Sequence, residues 1–220
     1  IPACATTRVA TQFTMSENLK VVLASASPAR RDLLINAGIN PIIINSNLDE
    51  VSVLKKLSAQ SSAEKVIALA TAKAQKVVAE HLLPNAGVLI AADSMWELNN
   101  HLVGKPENRE EARERILEMS AKTGTLHTGH LVMNLANQKF ETAVVATKVE
   151  MDQITEPEVE RYLETGEPLQ VAGSFTLNGY GAAFVKSVAG DSNSVIGLSI
   201  NTVKKLSASV GLNWTDFWKN

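Results

Sequence analysis

The chain reads as an α/β protein on a mixed central sheet, a single domain over residues 15–220 with two lobes around a cleft. Two patterns predict this: short β-rich apolar runs alternate with capped helical segments from Leu19 onward, and two long alternating runs, 127–135 and 140–151, read as antiparallel neighbours. Of 220 residues, 45% are hydrophobic and only 5% aromatic, enough for one substantial core that must be aliphatic.

Residues 1–14 lack a clear period and precede Met15, so they are read as a disordered extension or expression remnant, which leaves Cys4 without a role. Val21 to Ala24 form a buried strand. Ser27 then offers an N-cap hydroxyl, Pro28 suits the first helical position and Gly38 takes the left-handed stop, which predicts a helix over 28–37. A second strand covers 41–45. Ser61 and Glu64 form a capping-box pattern ahead of Val66, Leu69, Ala70 and Val77, predicting a long helix to about residue 81. The apolar run 88–92 ends abruptly in Asp93, as an interior strand delivering a carboxylate at its C-terminal end would. Asn99-Asn100 predicts a hairpin between 96–98 and 101–103. A helix over 110–119 places Ala112, Ile116 and Met119 on one face. After the two long strands come a helix over 157–164 stopped at Gly166, a strand over 182–188 and a final amphipathic helix over 197–210.

Lys and Arg number 21 against 23 Asp and Glu, a formal net charge of −2, which argues against a general binder of duplex nucleic acid. No apolar run approaches the ~18 residues needed to cross a bilayer, and no secretory leader pattern opens the chain, so no membrane partner and a cytoplasmic location are expected. With one cysteine, a metal would take oxygen or imidazole ligands.

Four places hold residues suited to phosphate chemistry. Ser25 to Arg31 leads a strand through hydroxyls into a helix start carrying guanidinium groups, which suits a phosphate chain. Taken alone, it reads more simply as a capped β-to-α turn. Asp93, followed twelve residues on by Lys105, is a ligand site at a sheet edge or else a capping carboxylate and a solvated lysine. Asp49-Glu50 offers oxygens to a hard cation such as Mg²⁺, or is a solvated acidic turn. The glycines of 173–181 permit close backbone approach to a ligand and serve equally in hairpin turns. His127 and His130 fall on opposite faces of one strand, so they do not chelate one ion.

Together and in this order, LASASPARRDLL (23–34), Asp49-Glu50, AEKVIALATAKA (63–74), AADS (91–94), GKPENREEA (104–112), TGEPLQVAGSF (165–175) and VIGLSI (195–200) resemble the Maf family, known as septum-formation proteins and nucleoside triphosphate pyrophosphatases. The resemblance implies an elongated mixed-sheet fold shared with the inosine triphosphatase group. It also implies hydrolysis of a nucleoside triphosphate between its α and β phosphates, with Mg²⁺ or Mn²⁺, as a house-cleaning activity on the nucleotide pool. By position, Asp93 matches the family's catalytic proton acceptor, and Ser25, Arg30 and Lys105 match its phosphate-contacting residues. Glu50 matches the acidic residue that joins Asp93 at the metal. Ala29 stands where the better-known branch has arginine, Ser94 where it has threonine and Asn178 where it has glutamine; these positions influence base choice in that branch. The variants look actinobacterial. A homodimer follows from the same resemblance. The alternative is a non-catalytic, nucleotide-binding regulator of septum formation.

Overall fold

The computed structural model describes residues 19–84 and 87–218; the predicted extension over 1–14 lies outside them. Its centre is a seven-stranded mixed sheet in the order β2-β1-β3-β5-β6-β7, with β4 paired to β3. The strands are β1 (Lys20–Leu23), β2 (Ile42–Ile43), β3 (Gly87–Leu98), β4 (His101–Val103), β5 (Thr123–Asn134), β6 (Phe140–Met151) and β7 (Val185–Ala189). The helices are α1 (Pro28–Asn36), α2 (Glu50–Lys56), α3 (Ser62–Glu80), α4 (Arg109–Met119), α5 (Glu156–Glu164), α6 (Ser192–Ile196) and α7 (Ile200–Ser209). The predicted mixed α/β class is therefore the observed one. Among the described residues, no helix is long and apolar enough to cross a membrane.

The local signals act as the sequence suggests. Ser27 caps α1, accepting from the Arg30 amide, and the Ser61/Glu64 capping box opens α3. Asn99 and Asn100 take φ of 52° and 65°, the left-handed pair that closes the β3–β4 hairpin.

Three of the predicted elements depart most from expectation, and α2 was not predicted at all. The strand carrying Asp93 does not end there: β5 pairs with it as far as Glu97, so Asp93 lies inside a twelve-residue strand. The last helix does not begin at Gly197, whose φ of 131° halts α6; Ser199 caps a separate α7 by accepting from the Thr202 amide. Residues 180–184 form a 3-10 turn, so β7 starts only at Val185.

Odd-numbered residues of β3 face α3 and even-numbered ones face α1 and α7, the alternation a strand imposes. Val88, Ile90 and Ala92 pack with Leu34, Val203 and Leu206, whereas Leu89 and Ala91 pack with Ala74 and Val77. Farther along, Trp96 and Leu98 join a third cluster with Ile116, Met119, Val159 and Leu163. Asp93 thus lies along β3 between the clusters built on residues 88–92 and the one built on Trp96 and Leu98.

The free edge of β3 positions the site. On the edge away from β5, β1 pairs with β3 only through Ile90 and β4 only from Trp96, so residues 91–95 have no strand beside them there. The β1–α1 connection enters that gap. Across the strand, Gly129 pairs with Asp93, and a β-carbon on it would lie 2.4 Å from the carbonyl carbon and oxygen of Val66. Glycine here lets α3 approach the sheet beside Asp93. Gly129→Ala pushes the helix away and costs about 1–3 kcal/mol, seen as a lower denaturant midpoint at unchanged slope.

Candidate active site

The gap gathers charge in an apolar setting. Asp93 is 5% exposed, on the face of β3 that meets α3. Its Oδ1 accepts from the Lys73 ammonium, which in turn lies 2.7 Å from a carboxylate oxygen of Glu50 at the start of α2. The Lys73 and Asp93 side chains are 10% and 7% exposed and Glu50 47%, so the pair is inside and the third member sits at the mouth. Burial pushes the Asp93 carboxyl above the usual carboxylate range; Lys73 opposes the shift, Glu50 adds to it and Arg30 opposes it.

Arg30 occupies the opposite wall. It comes from the first turn of α1, is 9% exposed, and donates from Nε to the Gly197 carbonyl at 2.8 Å, from Nη1 to Ser25 Oγ at 3.2 Å and from Nη2 to Ser94 Oγ at 3.1 Å. Burial lowers its pKa, and the charges of Asp93 and Glu50 raise it. The three acceptors are all uncharged, so none cancels the guanidinium charge by contact. Two of its five N–H groups are left for an incoming anion. Ser25 Oγ accepts from Arg30 and from the Ser27 amide at 3.2 Å, which leaves its own proton to donate.

Ser25, Arg30, Glu50, Asp93 and Ser94 are thereby brought together, and Ala29 sits beside Arg30 in the first turn of α1. Lys105 is exposed in the loop after β4 and forms no ion pair among the described residues. Asn178 is also exposed, in the segment 176–181. Glu167 ties that segment down: its carboxylate accepts from Thr176 Oγ1 at 2.6 Å, the Gly181 amide at 2.9 Å and the Tyr180 amide at 3.0 Å. The side-chain hydrogen bonds of Ser94 go to Arg30 and Thr128, and none links it to Asn178 among the described residues. Asp49 is a cap, accepting from the Ser52 amide at 3.0 Å and the Ser52 hydroxyl at 2.6 Å. His130 is also structural: fully buried, it accepts from the Ser199 amide, and burial pulls it down to about 4.

Lys73 is the functional residue that motif reading missed. Its signal was present: Val66, Leu69, Ala70, Lys73, Ala74 and Val77 are the buried positions of α3, so one lysine interrupts an apolar stripe at helical spacing. A lysine there needs a carboxylate partner.

Among the described residues no three His, Cys, Asp or Glu side chains converge as a ready-made metal cage. Lys73 Nζ contacts one oxygen of each of Glu50 and Asp93, Oε1 and Oδ1, and the second oxygen of each carboxylate is the one left for a cation. That donor set fits Mg²⁺, which commonly takes one or two carboxylates and completes its shell with phosphate and water.

Comparison with known proteins gives this geometry a family. The family model described as Maf-like protein matches residues 20–210. A nucleoside triphosphate pyrophosphatase of Streptomyces avermitilis is 41% identical over 199 residues, covering 90% of this chain and 94% of that protein. Proteins of the same name from Corynebacterium diphtheriae and Mycolicibacterium vanbaalenii are 39% and 42% identical over 202 and 207 residues, covering 92% and 91% of this chain and 100% and 99% of theirs.

The electrostatics set a pH dependence. A folded-state pKa raised above the unfolded value of about 3.9 means that Asp93 contributes most to stability below that value and loses the contribution as pH rises through the folded one. Activity that needs ionised Asp93 therefore falls on the acid side at a pH above the ordinary carboxylate range. Lys73→Met removes the opposing cation and moves that acid limb further up, as a profile of kcat/KM against pH will show.

Proposed function

The chain belongs to the Maf-like protein family, and from that premise we propose that it is a nucleoside triphosphate pyrophosphatase that cleaves between the α and β phosphates to give a monophosphate and pyrophosphate. The observation that carries the reading is a buried carboxylate, Asp93, held by Lys73 across a sheet gap from a guanidinium with unused donors. A polyanionic substrate needs fixed donors that meet charge as it develops on the leaving group, and a base that meets the attacking water. Nothing in the fold or the relatives favours the non-catalytic regulator.

In this reading the two free N–H groups of Arg30 and the hydroxyl proton of Ser25 bind phosphate oxygens. Asp93 takes the proton of the attacking water, and Lys73 keeps the carboxylate ionised in its apolar setting. Lys105, two residues beyond the strand that pairs with Trp96, adds a second cation from the mouth. Glu50 and Asp93 would hold Mg²⁺ or Mn²⁺, which supplies charge neutralisation to the phosphate chain. Ala29, Ser94 and Asn178 are proposed to bias base choice. The role on the nucleotide pool sets the enzyme in the cytoplasm, and a homodimer is proposed from the family resemblance, to be read by sedimentation against a chain mass of 23.6 kDa.

Supplied with a panel of standard and modified nucleoside triphosphates and Mg²⁺ or Mn²⁺, the protein should release monophosphate and pyrophosphate. Asp93→Asn should lose about 100- to 10,000-fold in kcat. Release of orthophosphate instead, or near-normal turnover in the variant, would sink the assignment. Lys105→Ala should raise KM more than it lowers kcat, the mark of a contact made mainly in binding.

A further inference from the structure

We propose that Thr128 is a positioning residue that fixes the hydroxyl proton of Ser94, so that Ser94 meets a bound nucleotide as a hydrogen-bond acceptor only. The proposal rests on the nucleotide reading above and deepens it, by separating the groups that recognise phosphate from one that recognises the nucleoside.

Thr128 lies directly across from Ser94 in the β3–β5 register, on the same face, and is completely buried. Its Oγ1 donates to the Ser194 carbonyl at 2.9 Å, and it lies 3.0 Å from Ser94 Oγ. On its other side Ser94 Oγ receives Arg30 Nη2 at 3.1 Å. Geometry alone leaves the direction of the central bond open, but the two ends close it. A guanidinium only donates and a carbonyl only accepts. The Thr128 proton is committed to Ser194, so the Thr128 oxygen must accept, and Ser94 must give it its own proton. The chain therefore runs one way: Arg30 to Ser94 to Thr128 to the Ser194 carbonyl.

Ser94 is half-buried beside Arg30, in the stretch of β3 that has no strand alongside. With its proton directed inward, it offers the gap only a lone pair. A phosphate oxygen, which has no proton to give, finds no partner there, whereas an exocyclic amino N–H of a nucleobase does. Phosphate recognition thus falls to Arg30 and Ser25, and Ser94 selects for a donor. Threonine at position 128 matters for its hydroxyl, which both accepts from Ser94 and hands the polarity on.

The test measures affinities of the full-length protein for the α,β-imido analogues of ATP, ITP, CTP and UTP, which bind without being cleaved at the α–β bridge. At the exocyclic position, the one assigned to Ser94, each pair sets an amino donor against a carbonyl acceptor; the neighbouring ring nitrogen changes from acceptor to N–H donor. Thr128→Val keeps the shape and removes the acceptor, so Ser94 becomes free to donate. The ATP:ITP or CTP:UTP affinity ratio should then move about two- to tenfold toward the carbonyl member, the worth of one hydrogen bond. Thr128→Ser keeps the hydroxyl and should hold the wild-type ratios, and in a Ser94→Ala background Thr128→Val should change nothing further. Unchanged ratios in Thr128→Val, an equal change in Thr128→Ser, or an additive effect in the Ser94→Ala background overturns the relay while leaving the nucleotide reading in place. Failure of the wild-type protein to bind any of the four overturns both. Should Thr128→Val not fold, Thr128→Ser alone decides: a shifted ratio in a variant that keeps the hydroxyl refutes the assignment.

Discussion

The pairing of Lys73 with Asp93 is the constraint around which the cleft is organised. A carboxylate inside an apolar sheet is costly unless a cation reaches it, and an ammonium inside an apolar helix face is costly for the same reason. Each side chain is tolerated because of the other. For the two to meet, α3 must lie close against β3 and β5, and the missing side chain of Gly129 makes the closeness feasible. Glu50, brought up by the short α2, satisfies the ammonium from the solvent side. Removing either member of the Lys73–Asp93 pair leaves the other as a buried charge without its complement.

The second organising feature is the interrupted edge of β3. A continuous partner strand would have covered residues 91–95 and left no room for a ligand. Instead β1 stops after Leu23 and the chain turns through Ser25 and Ser27 into α1, so that the N-terminal end of a helix and its guanidinium face the gap. Arg30 is held there by oxygens from three separate segments: Ser25, Ser94 and the Gly197 carbonyl. Gly197 closes around it, since a β-carbon at that position would stand 3.2 Å from Arg30 Nε.

Much of the fold was legible because its elements carry their own boundaries: the capping box of α3, the proline and serine of α1, the Asn-Asn turn of the hairpin. The helix that escaped notice, α2, has only seven residues and buries none of them, so no apolar period could announce it; its marks were a capping aspartate and two lysines at its end. The extent of β3 was misjudged because Asp93 interrupts an apolar run, and what keeps that strand going is pairing with β5 some thirty-five residues away. The same long-range register hides Thr128. Arg30, Ser25 and Asp93 stood out through ordered motifs. Lys73 lay inside one of those motifs and needed the question of which helix face it occupies.

The uncancelled charge of Arg30 has a consequence for which molecules approach at all. The protein as a whole is slightly anionic, with a net charge of −2, while its cationic wall is recessed and opposed by Asp93 and Glu50 only a few side chains away. Seen from beyond a Debye length, about 8–10 Å in physiological salt, such a distribution offers a polyanion no net attraction. Only a charged group narrow enough to enter the gap comes under the influence of the guanidinium. The guanidinium therefore acts at short range: a phosphate group comes under its full influence only inside the gap, where water no longer screens it.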